Sequence, residues 1–171
     1  MTFQELQNKI GTQEEADWHQ HENGGGWVNK SAKVDKTAHI GDNAIVWAQV
    51  SGDAWVSGNA WVYGDARVYG DARVYGDAQV YGDARVSGNA WVYGNARVSG
   101  NAWEKSPLFI VGSKYSLSNA KHGHIQIGCK LGTFDWWLSE EGTEFGKYNG
   151  FTDNEVAEYR LYVELFKEIG K

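Results

Sequence analysis

Across 171 residues there is one cysteine, Cys129, and one proline, Pro107. A single thiol cannot close an internal disulfide, so a disulfide scaffold is excluded and a reducing compartment is the default. No run of about 18 apolar residues occurs, which leaves no candidate membrane-spanning helix. The opening segment MTFQELQNKIGTQEEADWHQ lacks the basic and apolar blocks of a secretory signal. A soluble cytoplasmic protein is the expectation. Positive charge is also scarce. The formal net charge is −6, and Lys and Arg nowhere gather into a stripe, which argues against nucleic acid as a partner. Asp and Arg nearly balance between Ala44 and Trp103, which also argues against an acidic rod that mimics DNA.

What the chain has in excess is periodicity. A six-residue unit, Ala-x-Val-x-x-x, runs thirteen times from Gly26, with one copy shortened. From Ala54 it reads AWVSGN, AWVYGD, ARVYGD, ARVYGD, AQVYGD, ARVSGN, AWVYGN, ARVSGN. A period of six is too short for a helix-pair repeat and predicts a parallel β-solenoid. Alternate side chains of a strand point to opposite faces, so Ala and Val point inward and the Trp, Arg or Gln between them points outward. Gly with Asp or Asn makes the corner, because Gly admits positive φ and Asx side chains cap tight turns. Three units give an 18-residue coil, and residues 26–103 span slightly more than four coils, a rod roughly 20 Å long at ~4.8 Å per coil. Val50, Val68 and Val86 should stack in one column. Val56, Val74 and Val92 form a second, and Val62, Val80 and Val98 a third. The short copy, Ala44-Ile45-Val46-Trp47, lacks two residues and predicts a cut corner.

The small-x-aliphatic-x-x-x pattern over residues 26–103 resembles the hexapeptide repeat of left-handed parallel β-helix proteins, and the left hand is what that resemblance implies. The Asn-Gly-Gly-Gly-Trp-Val stretch at 23–28, the VYGDARVYGDA run and the short tail are also similar to small hexapeptide-repeat proteins of bacteriophages and gut bacteria. Acyltransferases of this fold use a histidine at a subunit interface and loops that protrude from the coils. Here residues 48–103 contain neither a histidine nor an interrupting loop. The zinc-dependent carbonic anhydrases of the same fold need histidines that this body lacks. His39, on the body, reads as an outward, solvent-facing residue.

Residues 1–25 read as a separate helical segment: Phe3, Leu6 and Ile10 at helical spacing, then a second short helix opened by Thr12-Gln13-Glu14-Glu15. After Trp103 the phase breaks at Glu104-Lys105-Ser106-Pro107, and residues 104–171 read as an α+β cap for the open end of the coil stack. Leu108–Val111 and His124–Ile127 are expected strands, and Thr133–Leu138 a short helix. Residues 153–169, behind the capping box Thr152–Glu155, form an expected amphipathic helix. His122, His124 and Cys129 are weak candidates for a three-ligand zinc site, and His19/His21 form a second His-x-His pair. Cys129 reads more simply as a small residue buried beside Ile127. The recurring glycines are corner residues and not a phosphate loop, because no strand-to-helix switch follows them.

The outward positions are the stronger functional signal. At eighteen-residue spacing Trp55, Arg73 and Trp91 share one face, Trp61, Gln79 and Arg97 another, and Arg67, Arg85 and Trp103 the third. Tyr75 lies below Tyr93, and Tyr63 below Tyr81. Trp, Tyr and Arg are the residues enriched at interface hot spots. The expected function is a non-enzymatic interaction or scaffold protein without a cofactor, acting through these faces and the C-terminal domain. Its partner is expected to be a protein, with a dimer or trimer of the chain also expected. An acyltransferase-like enzyme and a carbohydrate-binding module are the alternatives.

Overall fold

A computed structural model describes residues 1–100 and 102–170. Asn101, the corner residue that closes the last repeat unit, lies outside them. The chain divides into two compact units, Met1–Ser106 and Pro107–Lys171.

The first unit is a parallel β-solenoid of about four turns, built from strands of two or three residues. Its first face pairs Trp27–Asn29, Ile45–Val46, Trp61–Val62, Gln79–Tyr81 and Arg97–Ser99. The second face pairs Lys33–Val34, Gln49–Val50, Arg67–Val68, Arg85–Val86 and Ala102–Trp103. His39–Ile40, Trp55–Val56, Arg73–Val74 and Trp91–Val92 make the third. Each coil donates backbone hydrogen bonds to the next at 2.8–3.2 Å, for example Trp55 N to Ala72 O and Ser57 N to Val74 O, both 2.9 Å. All three Val columns form as the alternation predicts. Every Val from Val50 to Val98 in the repeat is fully buried, and the paired Ala residues are at most 4% exposed. Burying one such Val contributes roughly 1.5–3 kcal/mol, so the stack of coils supplies the core that no single coil could.

The register follows the sequence count. Complete units pair at a spacing of eighteen, as in Trp55 with Arg73 and Val56 with Val74. Lys33 with Gln49, His39 with Trp55 and Ile45 with Trp61 stand sixteen apart, so the two-residue deletion after Val46 does cut a corner and leaves the ladders intact. At the other end the spacing is seventeen: Ala102 pairs with Arg85, and Trp103 with Val86. Trp103 therefore does not join Arg67 and Arg85 on the outward side. It sits half-buried above the Val50–Val68–Val86 column, with its indole nitrogen buried and unpartnered.

The N-terminal residues differ from expectation after the first helix. Helix α1 (Phe3–Ile10) opens with a complete capping box between Thr2 and Glu5. The expected second helix is only a single 3-10 turn, Glu15–Asp17, whose N-cap Glu14 makes no side-chain bond. Trp18–Gln20 then becomes a strand, antiparallel to Trp27–Asn29. This hairpin covers the exposed edge of the first-face sheet, a place where an unpaired strand would invite aggregation. Leu6 of α1 packs with Trp18, Trp27 and Ile45 in one buried cluster, joined by Met1, Phe3 and Ile10. Ile45, fully buried, stands at an outward place where complete units carry Trp, Arg, Gln, Lys or His.

The second unit is a four-stranded antiparallel meander, Phe109–Val111, Ser116–Lys121, His124–Ile127 and Lys130–Thr133. It is followed by α2 (Phe134–Leu138), α3 (Glu140–Tyr148) and α4 (Asp153–Ile169). Thr133 caps α2, and Thr152 with Glu155 forms the capping box of α4. Leu117, Ile125, Ile127, Phe134, Trp137, Tyr159, Val163 and Phe166 form its core. Leu161, Leu165 and Ile169 of α4 stay exposed.

Candidate interaction surface

The three faces of the solenoid are not equivalent, although their repeat units are nearly the same. The first face is partly occupied. Trp27 and Ile45 lie under α1, and Trp61 is half-buried against that cluster, 6.2 Å from Trp47 between ring centres. Lys9 of α1 donates to Asn59 Oδ1 at 3.0 Å, at the corner before Trp61. Above it Arg97 is exposed and pairs in register with Gln79. The second face carries Lys33, Gln49, Arg67 and Arg85 at its outward places between Ala and Val, and the register slip removes Trp103 from that row; its exposed ring is Tyr69, at the next outward place after Val68. Arg67 and Arg85 are exposed and directly paired. Like charges so placed are mildly unfavourable; the buried Val68–Val86 pair fixes their register, and water screens the repulsion.

The third face holds the coherent ladder. His39 stacks on Trp55 with ring centres 3.7 Å apart. Trp55 pairs with Arg73, and Arg73 with Trp91. The Arg73 guanidinium lies 5.4 Å from the Trp91 ring centre, within cation–π range, a contact of about 0.5–1 kcal/mol at an exposed site. Along the adjoining corner Tyr75 stacks on Tyr93 at 5.7 Å and meets Trp91 edge-on at 6.2 Å. Trp55 and Trp91 remain 45% and 44% exposed, although each is fixed by the backbone ladder beneath it. Tyr63 and Tyr81 stack at 5.4 Å on a different corner, and the Tyr63 hydroxyl donates to Gln79 Oε1 at 3.3 Å. Burial pushes the Tyr63 phenol above its ordinary range, with the neighbouring Tyr81 acting in the same direction.

His39 is not the plain solvent-facing residue that its outward place suggests. It is half-buried, ring-stacked on Trp55, and its Nδ1 lies 3.1 Å from Asn23 Oδ1. An amide oxygen only accepts, so this contact puts the proton on Nδ1. Desolvation lowers the His39 pKa below its usual value near 6.5, opposed by Asp42 and assisted by His21.

The candidate zinc ligands are not brought together. His122 lies in the hairpin turn before His124, whose Nδ1 is 3.0 Å from the His122 carbonyl. Cys129 lies beyond the far end of that strand, and the rise from His124 to Ile127 alone is about 10 Å. Cys129 is exposed and not buried beside Ile127, because it occupies the turn into the next strand. In the N-terminal pair His21 is buried, its Nδ1 accepting from the Asn23 backbone N–H at 3.2 Å, while His19 is exposed. Among the described residues no three of His, Cys, Asp and Glu gather as a metal site.

Three parallel ladders over a Val core define the repeat body as a β-solenoid. The family model for the YdcK beta solenoid repeat matches residues 48–64, 66–80, 78–94 and 90–105, the run of complete units beyond the cut corner. No curated protein matches the chain, and no solved structure does.

Proposed function

We propose that this chain is a non-enzymatic interaction scaffold of the hexapeptide-repeat kind, which binds a protein partner through the third face of its solenoid. The supporting observation is the ladder Trp55–Arg73–Trp91, two indoles nearly half exposed with a guanidinium between them, held in register by buried Val columns. Such residues dominate binding energy at interfaces. The sheet beneath fixes their spacing, so binding loses little conformational freedom on this side. The resemblance to phage-borne repeat proteins makes a bacterial host protein the partner to seek, and a second or third copy of the chain is the homo-oligomeric form of the same reading.

Affinity capture from bacterial lysate with the native chain and with Trp55→Ala/Trp91→Ala tests it. Both residues are exposed, so the variant should keep its melting curve. The proposal expects a specific protein that the native chain retains and the variant loses. Equal retention by both chains contradicts it. Sedimentation of both chains separates self-association from a foreign partner.

A further inference from the structure

The cut corner leaves a notch that the outward ladders do not explain. In complete units three residues join the inward Val to the next inward Ala, as Tyr63-Gly64-Asp65 join Val62 to Ala66. At the short copy Trp47 alone joins Val46 to Ala48. The corner therefore recedes under its neighbour in the next coil. A depression of about 440 Å³ opens on the first-face side, lined by Trp47, Trp61, Tyr63 and Gly64. A second of about 410 Å³ opens on the second-face side and shares Trp47 and Gly64 with the first. Its polar wall includes Lys33, Gln49, Asp65, Arg67 and Asp83.

The two sides differ in chemistry. One is a set of half-buried aromatic rings, with Trp47 braced edge-on against Trp18 at 4.9 Å and Tyr63 stacked on Tyr81. The other offers an amide, two carboxylates and two cations. No hydrogen bond or ion pair among the described residues uses the side chains of Lys33, Gln49, Asp65, Arg67 or Asp83. These donors and acceptors are open to a ligand. Two positive and two negative groups sum to zero, which favours a neutral ligand over a phosphate or a sulfate. A neutral ligand with an apolar ring face and hydroxyls that both donate and accept is a sugar. The spare carboxylates accept from hydroxyls, and the guanidinium and ammonium donate to them.

We infer that the cut corner is a binding site for a neutral oligosaccharide of two or three rings, one ring lying on the aromatic wall and the next meeting the polar wall. This site is separate from the Trp55–Arg73–Trp91 ladder and stands whether or not that ladder binds a protein.

The test is calorimetric titration with maltotriose, cellotriose, mannotriose and chitotriose at up to about 10 mM, the range in which weak sites saturate. A sulfated heparin disaccharide is the charged comparison. The expected result is saturable binding of at least one neutral trisaccharide and none of the sulfated sugar. Asp65→Asn/Arg67→Ala, both exposed, should weaken that binding at least about tenfold with the melting curve unchanged. Trp47→Phe should weaken it less and keep its fold, while Trp55→Ala/Trp91→Ala should leave it intact. Failure of all four trisaccharides overturns the proposal. So does binding that survives the Asp65/Arg67 change, that is lost in the Trp55/Trp91 variant, or that prefers the sulfated sugar.

Discussion

Two glycines in identical sequence positions should respond differently to alanine. Gly58 and Gly82 both precede the corner Asx and both have positive φ, +66° and +58°. An alanine in that region costs about 1–2 kcal/mol, partly offset by about 0.4–1 kcal/mol of lost unfolded-state freedom. At Gly82 an added Cβ meets nothing closer than Ser99 Cβ at 3.8 Å, an ordinary contact. Gly82→Ala should therefore cost about 1 kcal/mol. At Gly58 the Cβ would lie 2.9 Å from both the N and the O of Gly76 in the next coil. Those are backbone atoms between two ladder bonds, Ser57 N to Val74 O at 2.9 Å and Trp61 N to Ala78 O at 3.0 Å, and they cannot rotate away. Forcing the coils apart adds an overpacking cost of about 1–3 kcal/mol, for a total near 2–4 kcal/mol. Urea unfolding followed by far-UV circular dichroism measures both variants. Equal losses, or a larger loss at Gly82, would refute the claim that corner glycines are required by coil-on-coil contact as well as by φ.

Other variants probe other layers. Val74→Asp places an unpaired charge among fully buried Val side chains and should abolish the cooperative melting of the repeat body; a normal melting curve would show the inward assignment to be wrong. Thr152→Ala removes the cap of α4 and should cost about 1 kcal/mol by urea unfolding, with Thr152→Ser restoring most of it. His39 has a depressed pKa, so the unfolded chain takes up its proton first as pH falls. Its contribution is complete above about 6.5 and is lost as pH drops from there toward the folded pKa. The melting temperature should fall over that window in the native chain, and part of that fall should be absent from His39→Gln.

The repeat made its architecture legible because every unit from Ala48 to Asn101 repeats the same decision: small inward, branched inward, glycine at the corner. Even the two-residue deletion was readable as a cut corner. Less visible were features that depend on one end of the coil stack. The slip that turns Trp103 inward follows no rule of the unit. The cover over the first face had a signal, Ile45 at an outward place matched by Leu6 in the preceding helix, that periodicity alone does not interpret. In the second unit, α4 was legible from its capping box and apolar spacing. The strand Ser116–Lys121 was not, because SLSNAK is largely polar; its Ser118 and Asn119 are nonetheless buried, and Asn119 accepts from Leu108 N at 3.0 Å. Helix α3 was hidden by two glycines. A Cβ at Gly142 would lie 2.3 Å from the Trp136 carbonyl, so this helix tolerates a poor helix former to sit close to α2.

The candidate surface was legible as a list of outward residues but not as a choice among faces. Sequence places Trp61, Arg67, Arg85, Arg97 and Trp103 on the same footing as Trp55, Arg73 and Trp91. Packing separates them: α1 encroaches on the first face, the second carries mainly charge with the single exposed ring of Tyr69, and the third keeps a ladder of rings at depths where they are fixed yet open. Fixed exposed rings are the feature on which the proposed binding function rests, in a repeat whose other residues serve its own stability.

Hydroxyl-radical footprinting of the chain alone and in complex with its captured partner tests that claim most directly. Alone, Trp55 and Trp91 should be oxidised readily, in keeping with their exposure of 45% and 44%. In the complex both should be protected together. Undiminished oxidation of both, with protection appearing elsewhere on the chain, would contradict the assignment of the third face as the interaction surface.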